Sequence, residues 1–241
     1  MVLSKKQAEQ NAKFFRIKEI GLNSSEAIDV KTVLRKLNIL TVYLPMSETA
    51  YGLSLSSQQG DKFILVNSNT RKGRQHFTIA HELFHLFYDD NPTPHLCTKD
   101  GRSATEKAAD AFAAALLMPE DGVIEMIPDK YLKSKELPIS VVLRLEQYFR
   151  VSRSAMLYRL KNINVISQDN LDKLLELAPK QTAKDYGYDT TLYECGNDYL
   201  IIGDYGEKAR LLFESEIISE GHYEELINKI RHDKEEDSAG C

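Results

Sequence analysis

The sequence predicts an α+β fold: a small, mostly antiparallel sheet packed on helices, followed by a helix-turn-helix-like helical region and a small C-terminal α/β region. Three observations lead there. Short β-prone runs crowd between residues 41 and 66, helical patterns flank them on both sides, and the spacers between runs are too short for helical crossovers. With 241 residues, 42% hydrophobic and 28% charged, the chain can bury a core, which excludes collagen-like and wholly disordered readings.

Taken in order, residues 5–20 carry Phe14, Phe15, Ile17 and Ile20 among charges, the texture of a surface helix. After Gly21, Ser24 or Ser25 is the expected cap of a second helix presenting Ile28, Val33, Leu34 and Leu37. Thr41-Val42-Tyr43-Leu44, the run at 53–55 and Phe63-Ile64-Leu65-Val66 read as strands, punctuated by Pro45, Gly60-Asp61 and Asn67-Ser68-Asn69. Helices are expected over 74–88 and 104–118, the latter between Ser103 as N-cap and Pro119 as stop. That second helix is apolar nearly all round, which predicts burial. Residues 120–137 read as a connector, 139–161 as two helices joined at Val151-Ser152, and 171–231 as helices with a hairpin among them.

Charge and cysteine usage narrow the function classes. A formal net charge of −5 argues against a chain that grips nucleic acid over its whole surface. Cys97, Cys195 and Cys241 form no CxxC pair and predict neither a disulfide framework nor a thiolate metal site. The polar start and the lack of 18 uninterrupted apolar residues predict a soluble chain of a reducing cytoplasm. Arg144, Arg150, Arg153, Arg159 and Lys161 outnumber Glu146 locally, which suggests contact with DNA or an acidic partner. A solvated basic face is the commoner meaning of such a run.

The chemistry concentrates in His81-Glu82-Leu83-Phe84-His85, an HExxH pattern. Residues four apart on a helix lie one above the other, so His81 and His85 can offer imidazoles to one metal ion. Glu82 stands where a carboxylate could take a proton from a metal-activated water. Such a pattern arises by chance in roughly one chain in a hundred of this size, so its helical setting matters. Two histidines leave a tetrahedral ion short of a third protein ligand. A third histidine six residues on, preceded by a glycine, is excluded because Tyr88 and Asn91 occupy those positions. Glu106 is the natural third ligand, although Ser103-Ala104-Thr105-Glu106 also fits a capping box, the commoner role for such a glutamate. Asp110, on the same side as Glu106, needs a partner within so apolar a helix and could orient His81 or His85. His76, His95 and Tyr88 are further conceivable ligands or proton donors, and Cys97 could close the site by coordination, though its spacing gives no support.

The run from Phe77 to His85 (FTIAHELFH), then Glu106 to Pro119 (EKAADAFAAALLMP), resembles the ImmA/IrrE family of metallo-endopeptidases, with a weaker likeness over about 25–165. The resemblance implies a minimal zincin-like core, Zn2+ held by His81, His85 and Glu106, and Glu82 as catalytic base. It moves Glu106 from cap to ligand. Two departures stand out: Phe84 replaces a small residue, which predicts a narrower cleft, and Asp89 stands where a further histidine is frequent.

The organisation expected is a metallopeptidase domain over 1–137, packed helix-turn-helix-like helices over 138–168, an accessory region over 169–232 and a disordered tail over 233–241. The resemblance also implies a protein substrate, commonly a helix-turn-helix regulator of a mobile element or stress response. The alternatives are a zincin-fold sensing module that acts on transcription through a protein partner or DNA, and one half of a toxin–antitoxin pair.

Overall fold

The computed structural model describes residues 4–23, 25–89, 95–98 and 103–231. The tail expected over 233–241 and the capping residue Ser24 lie outside these. Helix α1 (Lys5–Phe15) starts on a full capping box: Ser4 accepts from the Gln7 amide, and the Gln7 side chain accepts from Ser4. It runs on as a wider turn, Arg16–Ile20, that ends where Gly21 takes a left-handed conformation, φ 73°. Arg16 is buried and donates to the carbonyls of Leu116, Asn23 and Glu26. Burial lowers its pKa to about 10. Asp29, rather than Ser24 or Ser25, caps α2 (Val30–Lys36), its carboxylate accepting from the Thr32 amide at 2.8 Å.

Five strands form one sheet: β1 (Ile39–Leu44), β2 (Ala50–Ser56), β3 (Lys62–Asn67), β4 (His95–Thr98) and β5 (Ile201–Ile202), in the order β4-β2-β3-β1-β5. β1 and β3 are parallel, and the other pairs are antiparallel. Side chains alternate along β1, with Ile39, Thr41 and Tyr43 fully buried.

α3 (Lys72–Tyr88) packs on β2 and β3, and α4 (Ala104–Leu117) packs on α3 and α1. The alanines of α4 let its neighbours come close, and Phe112 meets Phe15, Phe84 and Tyr88 at ring-centroid distances of 5.7, 5.7 and 5.3 Å. Such aromatic pairs add about 0.5–1.5 kcal/mol each beyond the area they bury. The start of α3 is pinned by Gln75, whose amide donates to the carbonyls of Ser68, Thr70 and Gly196 and whose oxygen accepts from Asn197.

Residues 120–137, read as a connector, hold two short helices, α5 (Glu120–Glu125) and α6 (Asp129–Ser134), each following a proline. Then come α7 (Ile139–Phe149) and α8 (Arg153–Asn162), the latter capped by Ser152. Their joint presses on α3 so tightly that a Cβ at Gly73 would meet the Ser152 nitrogen at 2.8 Å. Two basic side chains of this pair, Arg153 and Arg159, turn inward. Arg153 pairs with the fully buried Glu146, which also accepts from Tyr193, while Arg159 donates to Glu9 and the Met118 carbonyl. Arg144 holds the Met126 carbonyl and Arg150 holds Asp29. Arg144 and Arg150 stay exposed, so the basic face suggested by composition loses Arg153 and Arg159 and keeps these two.

Beyond lie α9 (Gln168–Leu175), α10 (Pro179–Asp185), α11 (Tyr205–Glu214) and α12 (Glu220–Arg231). No hairpin forms among the described residues of this region. Its single strand, β5, pairs instead with β1, too short to fold back on a partner of its own. Among the described residues no helix is long and apolar enough to cross a membrane.

Candidate metal centre

Helix α3 turns His81, Glu82 and His85 toward α4 and the sheet because Ile79, Leu83 and Phe84 take its core-facing positions. The two imidazole Nε2 atoms stand 3.2 Å apart. Glu106, in the first turn of α4, brings Oε2 to 3.2 Å from His81 Nε2 and Oε1 to 3.3 Å from His85 Nε2. All three side chains are buried.

The competing cap is half formed. Ser103 Oγ accepts from the Glu106 amide at 3.1 Å, but the Glu106 carboxylate faces the imidazoles instead of the helix start. Helix α4 thus uses the Ser103 cap to begin where it must for Glu106 to reach α3.

These spacings suit a cation. Ligand bonds of about 2.0–2.1 Å in a tetrahedron place donor atoms about 3.3–3.4 Å apart, close to the observed separations. His81, His85 and Glu106 therefore form a group able to hold a metal ion, with donor atoms all within 4.8 Å of one another. The electrostatics agree. Burial alone would lower the His81 pKa, yet hydrogen bonds with Asp110, Cys97 and Glu106 carry it well above the ordinary 6.5. The surroundings favour positive charge between the rings.

Each ring is held from behind. Asp110 Oδ1 lies 2.9 Å from His81 Nδ1, as its position on α4 suggests. Asp89 Oδ2 lies 3.0 Å from His85 Nδ1, so the residue that departs from the family pattern performs the matching task for the second ring. Phe84 does not narrow a cleft: it is buried against Tyr88 and Phe112 in the core.

The remaining candidates fall elsewhere. His76 Nδ1 bonds the Arg150 carbonyl at 2.8 Å, and the Tyr88 hydroxyl donates to the Asn11 carbonyl at 3.3 Å. The His95 side chain lies outside the described residues.

Glu82 is fully buried beside the histidines, and Ser54 Oγ on β2 donates to its Oε2 at 2.6 Å. This contact depends on Gly52, where a Cβ would meet Thr78 Cγ2 at 2.5 Å and hold α3 off the sheet. Cys97 on β4 also arrives here: its sulfur and donor atoms of His81 and Glu82 all lie within 4.8 Å of one another. Sequence spacing gives no sign of Ser54 or Cys97, because strand pairing brings them in; Asp89 carries the i, i+4 signal from His85.

The family model described as the IrrE N-terminal-like domain, peptidase family M78, matches residues 34–161, just over half of the chain. The chain belongs to this family. It is a metallopeptidase of the IrrE/ImmA kind, and the matched stretch contains His81, Glu82, His85 and Glu106. A search of curated proteins found no match.

Proposed function

We propose that this IrrE-like chain is a zinc-dependent endopeptidase of the cytoplasm whose substrate is a helix-turn-helix transcription regulator. One observation carries the reaction: donors from two helices converge within 4.8 Å, with the buried Glu82 carboxylate next to them. Two imidazoles and a carboxylate suit zinc. When bound, zinc supplies a Lewis acid that acidifies water and polarises a carbonyl.

The chain's own residues do the rest. Glu82 takes a proton from the attacking water and returns it to the leaving amine nitrogen. Ser54 fixes the Glu82 carboxylate toward the site, and Asp110 and Asp89 hold the imidazoles so that both Nε2 atoms face inward. Burial of Ser54 and Glu82 excludes bulk water from their contact, which strengthens it.

The substrate class rests on the resemblance to the ImmA/IrrE family, and the surface adds one constraint. β3 provides no edge for strand addition, because it is flanked by β2 and β1. The sheet edge on the Glu82 side is β4.

The test pairs the purified chain and zinc with helix-turn-helix regulators encoded beside it. Cleavage should stop with chelator, and Glu82→Gln should retain zinc while losing about 10²–10⁴-fold in rate. Unchanged cleavage by that variant would remove Glu82 from the mechanism; salt-dependent DNA binding without cleavage of any regulator would favour a sensing module.

A further inference from the structure

Helices α1, α3, α4 and α8 border a cavity of about 380 Å³, a size within the range of small-molecule sites. Its charged wall is unbalanced. Lys5, Arg74, Lys107 and Arg159 line it against two acids, Glu9 and Asp110. Both acids are already engaged, Glu9 with Arg159 at 2.9 Å and Asp110 with His81 at 2.9 Å. Among the described residues Lys5, Arg74 and Lys107 have no carboxylate partner. The chain as a whole carries a net charge of −5, so this local surplus runs against the background.

The wall also fixes how an anion would be held. The Arg74 guanidinium lies over the Tyr51 ring, 4.7 Å from its centroid, and donates no hydrogen bond among the described residues. A guanidinium supported on one face keeps its edge N–H groups for two parallel bonds to a carboxylate, sulfonate or phosphate. Ser152 and Ser154 line the cavity at the start of α8, whose dipole adds partial positive charge there. Opposite in character are Phe77, Ala111, Ala114 and Ala155, which give an apolar surface with room that longer side chains would fill. The Tyr158 ring, 54% exposed, adds a face on which a flat group can stack.

We propose that this cavity binds a small organic anion, its acidic group held by Arg74, Lys107 and Lys5 and its flat apolar body laid on Phe77, Tyr158 and the alanines. A peptide strand is a poorer occupant: these four helices offer it no sheet edge, so its amides would go unpaired. The site is separate from the peptide-cleaving centre and needs no metal. The two meet at Asp110, whose carboxylate lines the cavity and orients His81.

The chain contains no tryptophan, so Tyr158→Trp places a single indole in the cavity wall. The full-length variant is titrated with 8-anilinonaphthalene-1-sulfonate in the presence of chelator, and energy transfer from indole to dye reports binding. Transfer should saturate at one equivalent. N-phenyl-1-naphthylamine, the same aromatic body without the sulfonate, should bind at least about tenfold more weakly. Arg74→Gln in the same background should weaken the sulfonate about tenfold, and the more exposed Lys107→Gln about threefold, with circular dichroism confirming that both are folded. If the two dyes bind equally, or if sulfonate affinity stays unchanged in the folded charge variants, the dye is merely adsorbed on apolar surface and the site is overturned. Absence of saturable transfer overturns it as well. None of these readouts uses zinc or cleavage, so the result stands apart from the peptidase reading.

Discussion

Two carboxylates orient the two imidazoles, and their surroundings predict unequal importance. Asp110 bonds His81 at 2.9 Å and Asp89 bonds His85 at 3.0 Å, so distance does not separate them. Exposure does: the Asp110 side chain is 61% exposed and that of Asp89 22%. A hydrogen bond to a charged group contributes about 1.5–3 kcal/mol, with water weakening an exposed one and replacing it when it is lost. Asp89→Ala should therefore lie near the top of that range, a loss of about a hundredfold in zinc affinity, and Asp110→Ala near the bottom, about tenfold. Competition with a chromophoric chelator on the full chain measures both, with circular dichroism confirming that each variant is folded. If Asp110→Ala lost as much zinc affinity as Asp89→Ala, or if neither lost any, solvent exposure would not be what ranks these contacts.

Further expectations concern the base and the helical pair. Ser54→Ala removes the 2.6 Å hydrogen bond to Glu82 and should slow cleavage about tenfold with zinc affinity intact; steady-state kinetics and metal analysis separate the two, and altered zinc binding with unaltered turnover would contradict the role. Arg153→Ala leaves Glu146 charged in the interior, so urea unfolding should register a loss of about 3–5 kcal/mol. The double change Arg153→Met with Glu146→Leu should recover most of that loss, and a double variant no more stable than the single one would show that packing rather than charge pairing dominates there.

What the sequence makes legible follows the range over which each contact is set. His81, Glu82 and His85 share one helix, so local spacing alone brings them together. Glu106 requires only that the next helix pack beside the first, which its alanine-rich face implies. The same logic reaches Asp89, four residues beyond His85, although its place in a family pattern draws attention to a missing histidine instead. Ser54 and Cys97 are different. They arrive through the register of β2 on β3 and of β4 on β2, which neither composition nor periodicity specifies. The inward turn of Arg153 and Arg159 is hidden for a related reason: a count of charges cannot tell a solvated face from guanidinium groups that find buried carboxylates and carbonyls. The C-terminal hairpin fails because a two-residue strand completes its pairing with a distant segment, β1.

That distant pairing bears on how the chain can be cut down for study. Excising 34–161, the stretch shared with the family, would strip Ile201 and Ile202 from β1 and bare a ribbon of unpaired amides and carbonyls along its flank. The excision would also withdraw Phe15, which is wedged against Phe87 and Phe112, leaving an aromatic-sized hollow behind α4. Such a fragment is set up to stick to its own copies, whereas boundaries that keep Ser4 and Ile202 preserve both the wedge and the seam.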